Sequence, residues 1–233
     1  MATRKIFIPN QKTIGVIEKQ VDFQWYPGLS FSQKQKSVQS LHEACKMLGI
    51  ENVLEISTKS MELLGQKLSA FNLMTILPKT NKKITIESAF QGSKVFEKNG
   101  PYIDIYNKSS IEAKKDIRLK ISGNLCSFDF CGLKFSTRPK TFFYDWLYTN
   151  SLFQHKDYIE QIKKYDAFTD IEFNDVKSIN CQARSVALCV SLLHNNVSEN
   201  SIQDPEVFYN TLRNYYDNND TNKNQQIQGA FSF

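Results

Sequence analysis

Glycine is scarce in this chain, with 9 in 233 residues, and none falls in a G-x-G-x-x-G or a Walker-type loop. The standard backbone cradles for nucleotide phosphates are therefore not signalled. Histidine is scarcer, with 3 residues (His42, His155 and His194) isolated from one another, and there is no H-E-x-x-H. The 5 cysteines (Cys45, Cys126, Cys131, Cys181 and Cys189) are odd in number and scattered. Cys126 and Cys131 have no second Cys/His pair at zinc-ligand spacing, so free thiols in a reducing cytosol are expected, with no metal and no cofactor. No stretch approaches the ~18 uninterrupted apolar residues of a membrane span, and MATRKIFIPNQK at the start lacks an apolar signal core. A soluble, cytoplasmic protein with no membrane partner is the expectation. The net charge of +5 permits a polyanionic partner without demanding one.

What is present is enough apolar material, 41% of residues, for one sizeable core. Strand signals occur at Lys5–Ile8, around Thr13–Ile17 and at Val53–Ile56. Ser32 and Gln35 form an S-x-x-Q box ahead of a helix carrying Val38, Leu41, Cys45 and Leu48, with Gly49 at its end. A short helix is expected at Ser60–Gln66. Ser109 with Glu112 makes a second box, opening a helix through Lys120. Leu125–Phe130 and Leu133–Phe135 flank Cys131-Gly132 as a tight hairpin. Thr141–Phe153 is an aromatic helix, with Trp146 in the core. Asp157–Lys164 continues as helix, and Tyr165–Asn174 reads as an acidic loop. Asn180 is placed to cap the next helix, and Asp204-Pro205 to open a last one ending about Tyr216. Helices among short strands without regular βα alternation imply an α+β fold, a mainly helical single domain around a small sheet. The domain is expected over 1–216, with 217–233 a polar, low-complexity, disordered tail.

One stretch stands out, TIESAFQGSKVFEK at 85–98. At helical spacing Glu87, Gln91, Lys94 and Lys98 fall on one ridge, with Ala89, Phe90, Val95 and Phe96 covering much of the remainder. An acid, an amide and a base on one ridge are either a catalytic wall or a solvated face. Gly92 sits mid-pattern at a cost of about 1 kcal/mol relative to alanine, which implies close approach of another group.

The order Ser69-Ala70-Phe71-Asn72, then Glu87-Ser88-Ala89-Phe90-Gln91-Gly92-Ser93-Lys94, resembles the S-N-F and E-H-x-x-Q-x-x-K motifs of the NADAR (YbiA-like) family. EAKKDIR at 112–118 is similar to that family's Ala-Lys helix. The segments WYPGLSFSQKQKSVQSLH, LEISTKS, LSAFNLM, FQGSKVFEKNGPY, FYDWLY, YDAFTDIEFN and KSINCQARS resemble the branch that accompanies DarT-type DNA-modifying toxins. Ala70 stands where the family motif has Asn, and Ser88 where it has His.

The resemblance implies an ADP-ribosyl glycosidase, a hydrolase that frees guanine in DNA, or in RNA, from ADP-ribose as antitoxin to a DarT-like toxin. Within it Glu87 supplies proton transfer. A lysine captures the anomeric carbon as a Schiff base, Lys36 first and Lys34 as the alternative. Asp170, with Glu172 or Asp175 as alternatives, orients the ribose hydroxyls or activates water. Ser69, Phe71, Asn72, Phe90, Gln91, Lys94, Glu172 and Asn180 line the substrate pocket, and Trp25 stacks on a base. Two other readings stand beside it. One is a non-catalytic binder of ADP-ribosylated nucleic acid or of the toxin; the other is a glycosidase acting on a free riboflavin-pathway intermediate.

Overall fold

A computed structural model describes residues 1–78, 80–175 and 178–229, with side chains as far as Asn218. The chain opens with an antiparallel hairpin, β1 (Ala2–Pro9) and β2 (Val16–Phe23), in register from Ala2↔Phe23 to Pro9↔Val16. Asn10 Oδ1 accepts from the Lys12 and Thr13 amides, so residues 10–15 form the turn and the second strand begins later than Thr13. Helix α1 (Phe31–Met47) starts earlier than its expected box. Ser30, not Ser32, is the N-cap, accepting from Gln33 N at 3.3 Å. Val38, Leu41 and Cys45 are buried as its stripe predicts, whereas Leu48, at the C-cap, is exposed, and Gly49 (φ 79°) follows it.

Strand β3 (Val53–Glu55), α2 (Leu63–Lys67) and the pair β4 (Met74–Ile76) and β5 (Lys83–Thr85) follow. Helix α3 (Ile86–Gly92) then gives way to β6 (Lys94–Phe96), which ends the helix expected to run through Lys98. Ser93 caps it, its Oγ donating to Ala89 O at 2.7 Å, and the next residues pair with a neighbouring strand instead. The close approach at Gly92 is the Tyr106 ring: an added Cβ would lie 2.5 Å from Cε1. Helix α4 (Ser110–Lys115) has the expected Ser109–Glu112 box. It stops at Asp116, whose carboxylate accepts from the Arg118 amide and guanidinium, so α5 (Arg118–Ile121) is separate.

Strands β7 (Leu125–Phe130) and β8 (Leu133–Ser136) form the expected hairpin, with Cys131 (φ 56°) and Gly132 (φ 93°) in left-handed conformations at its turn. Together with β6 they make a sheet of order β6-β7-β8. Helices α6 (Phe142–Phe153) and α7 (Lys156–Ile162) lead to β9 (Ala167–Thr169), inside the segment read as a loop. Ala167, Phe168 and Thr169 are all buried, because β9 lies between β1 and β3 in the sheet β2-β1-β9-β3, antiparallel to the first and parallel to the second. Three residues are too few to show a period, so only the partners on both sides reveal a strand.

Helices α8 (Gln182–His194), α9 (Glu199–Gln203) and α10 (Pro205–Gly229) complete the chain. Asp204 Oδ1 caps α10 as predicted, accepting from the Glu206 and Val207 amides. The helix continues past Tyr216 to Gly229 because no Pro or Gly interrupts 206–228, although Tyr216 is the last side chain it buries among those described. Residues 230–233 of the expected tail lie outside the described residues. The fold is α+β, with several helices around small sheets. Its core is strongly aromatic: Phe128, Phe130 and Phe135 of β7 and β8 pack on Phe143 and Trp146 of α6. Each such burial contributes about 1.5–3 kcal/mol. Trp146 is a core residue, its indole N–H donating to Gln203 O.

Candidate active site

The connections β3–α2, α2–β4, β8–α6 and β9–α8 border a cavity of 590 Å³, together with α3 and residues of β6, β7, α4, α6 and α8. Its wall is α3 with the first residue of β6. All of Ile86–Gly92 is buried, so the polar ridge is no solvated face. The ridge is wired in series: Gln91 Nε2 donates to Glu87 Oε1 at 2.9 Å, and Lys94 Nζ donates to Gln91 Oε1 at 2.7 Å. The amide thus joins an acid and an amine that sequence spacing put seven residues apart. Breaking the helix after Gly92 did not separate them. Lys98, beyond β6, is not in the cavity lining. Burial pulls the Lys94 amine down to about 8; Glu87 opposes this and Lys114 adds to it. Its Nζ also sits 4.8 Å over the Phe90 ring.

The opposite source of chemistry is the loop leaving β9. Asp170 lines the cavity and is buried, accepting from the Glu172 amide at 3.1 Å and from the Gln182 side chain. Desolvation, then the nearby Glu55 carboxylate, push its pKa well above the usual carboxylate range. Gln182 also accepts from Ala70 N at 2.7 Å, which ties the Ser69–Phe71 loop to the Asp170 loop. Ala70 therefore contributes a backbone amide where the resembled motif has an Asn side chain. Ser88, at the motif's His position, is spent on the helix start, bonded to Thr85 Oγ1 and Lys108 O.

Ser69, Phe71, Glu87, Phe90, Gln91, Lys94, Asp170, Glu172 and Asn180 all line this cavity. Asn180 does not cap α8; Cys181 occupies the N-cap position, and the buried Asn180 Oδ1 has no partner among the described residues. Asp175 is paired with Lys5 at 3.4 Å instead. Four expected residues lie outside the lining. Asn72 is exposed and donates to Gln66 O. Trp25 packs on Phe23, with Lys34 Nζ 4.8 Å over its ring. Lys36 is exposed on α1.

The sequence reading missed Gln182, Tyr144, Lys114, Arg138 and Lys140, which line the cavity too. Lys114 lay within a quoted motif. Arg138 and Lys140 flank Pro139 in a connection that carries no periodic signal. Among the described residues, Lys94, Lys114, Arg138 and Lys140 form no ion pair with a carboxylate, so four cationic groups are available to an anionic ligand. No group of three or more His, Cys, Asp or Glu suited to a metal occurs among the described residues.

The result is an α+β domain with a 590 Å³ cavity that combines a linked acid and amine, a buried carboxyl and a cationic rim. The chain belongs to the family of DarT1-associated NADAR antitoxins, whose model matches residues 2–222. No curated protein matches the chain. Among the described residues no helix is long and apolar enough to cross a membrane.

Proposed function

We propose that the protein is an N-glycosidase that removes ADP-ribose from guanine in DNA, and that this is how it acts as an antitoxin to a DarT1-type toxin. The observation that carries the reading is the Glu87–Gln91–Lys94 hydrogen-bonded chain in the same cavity as the buried Asp170. A binder that works by occupancy has no use for an amine poised near neutrality beside two acids. Lys114, Arg138 and Lys140 suit a diphosphate, and Phe71, Phe90 and Tyr144 give flat apolar surface for a base or ribose.

Protonated Asp170 gives its proton to the ribose ring oxygen as the C1″–O4″ bond breaks, and the guanine nitrogen, keeping its own hydrogen, forms a protonated imine to C1″. The neutral Lys94 amine adds to C1″. Glu87 takes the proton that the new ammonium sheds and hands it to the guanine nitrogen, and the C1″–N bond breaks to release neutral guanine in the strand. The Schiff base on Lys94 then gains water at C1″, whose proton returns to the Asp170 carboxylate. Lysine departs and free ADP-ribose recloses its ring, so the net change is the addition of one water. Lys94 takes the amine role here because it lines the cavity, and Lys36 is tested beside it.

The test is incubation with an oligonucleotide ADP-ribosylated on guanine, scoring free ADP-ribose and restored base, with E87A, K94R and K36A alongside. Borohydride reduction during turnover should leave a covalent adduct on Lys94. Tight binding without release would replace the enzyme reading with that of a binder. Turnover only of a small riboflavin-pathway intermediate would move the substrate away from nucleic acid.

A further inference from the structure

Bonded to both chain neighbours of Asp170 is a carboxylate the reaction above does not touch. Glu55, the last residue of β3, is 1% exposed and has no ion-pair partner among the described residues. Burial raises its pKa above the ordinary carboxylate value, and hydrogen-bond donors work against that rise. Three donors hold it: Ser57 Oγ at 2.6 Å and the Ile171 amide at 2.8 Å on Oε1, and Thr169 Oγ1 at 2.7 Å on Oε2. Two of these donors are the residues immediately before and after Asp170. Thr169 has one hydroxyl proton and gives it to Glu55, so the 2.9 Å contact between His42 Nε2 and Thr169 Oγ1 has the imidazole as donor. Burial lowers His42 to about 4, so it is a neutral donor at ordinary pH. With Glu55 ionised, the chain runs His42 → Thr169 → Glu55, and these donors offset part of the rise that burial imposes on the Glu55 carboxyl.

We propose that Glu55 is a positioning residue for the reaction: it grips both neighbours of Asp170 to aim that carboxyl into the cavity, and its fixed negative charge keeps a proton on Asp170. This rests on the glycosidase reading only for the use made of that proton. Other groups act on Asp170 from the elements packed around it. Glu172 adds like charge from the same loop, while Tyr144 and Tyr148 of α6 and Cys181 before α8 are held neutral by burial. Glu87 and Lys94 share the cavity with Asp170. Glu55 is therefore the charge whose removal most directly releases the proton.

The test separates coupling from catalysis. With 13C-labelled Asp and Glu carboxyls, Asp170 (assigned with D170N) should be protonated at pH 7 and Glu55 ionised in the unmodified protein. In E55Q, Asp170 should titrate at least about one pH unit lower, a tenfold loss of proton affinity. The basic limb of the kcat–pH profile should move with it while KM stays level. E55Q keeps the shape: its amide can donate to Thr169 once His42 switches tautomer. An Asp170 that is already ionised at pH 7, or that titrates unchanged in E55Q, overturns the proposal. Should E55Q not fold, the unmodified protein decides: Glu55 protonated and Asp170 ionised refutes it. A shifted Asp170 resonance in a protein with no turnover would instead sink the glycosidase reading and leave the coupling standing.

Discussion

If Lys94 is the amine that captures the anomeric carbon, the rate should report the proton on Lys94. An exposed lysine titrates near 10.5, and burial in the cavity wall brings this one to about 8. At pH 7 about one molecule in ten then carries a free amine, against about one in three thousand for an exposed lysine, a gain of roughly 300-fold in reactive enzyme. Single-turnover release of ADP-ribose should accordingly rise tenfold per pH unit below 8 and level off above it, until loss of the Asp170 proton brings it down. K94R keeps the cation and its bond to Gln91 but has no nucleophile at accessible pH. It should lose about 10³-fold or more in kcat while retaining most substrate affinity. Q91L, which breaks the link to Glu87 without touching the amine, should move the apparent pKa of the rising limb and cost less. A K94R variant within tenfold of the unmodified rate, or a borohydride adduct on Lys36, would refute the reasoning outright. The same titration bears on stability. Between pH 8 and 10.5 the unfolded chain holds a proton on this lysine that the folded chain has released, so its contribution to stability rises with pH through that window and is unfavourable below it.

Other outcomes follow from the fold. G92A drives a Cβ to 2.5 Å from the Tyr106 ring and should lower stability by about 1–3 kcal/mol in urea unfolding, with activity falling as α3 shifts. D145A leaves the buried Arg184 guanidinium without the carboxylate 3.3 Å away and should cost about 3–5 kcal/mol by the same measurement. S109A removes the N-cap of α4 and should cost about 1 kcal/mol. Asp116, gripped first by Arg118 and then by Lys108, titrates well below an ordinary carboxylate. Its stabilisation is complete above pH 3.8 and fades as pH falls from there, so D116N should be less stable at pH 7 and flatten the acid limb of thermal unfolding.

Where local chemistry alone selects the conformation, the residues named the element. The Ser109–Glu112 box, the Cys131-Gly132 hairpin, the Asp204-Pro205 start and the aromatic helix through Trp146 all appear in the folded chain. The Glu87–Gln91–Lys94 ridge was legible for the same reason, since a spacing of four then three keeps side chains on one side even though the last one sits on a strand. Periodicity failed where long-range pairing overrides propensity. It ran α3 on to Lys98, although β6 leaves the helix to pair with β7, and it read β9 as a loop, although neighbours 114 and more residues away make it a central strand. Fold class, family motifs and the acid–amide–amine ridge are readable from residue order, because these depend on contacts within a few residues. The burial of Asp170 beside Glu55, the bridge that Gln182 makes between two loops, and the place of Lys94 rather than Lys36 in the cavity lining emerge with the folded chain. Burial and like-charge proximity are properties of chain segments brought together in space, and no spacing along the sequence encodes them.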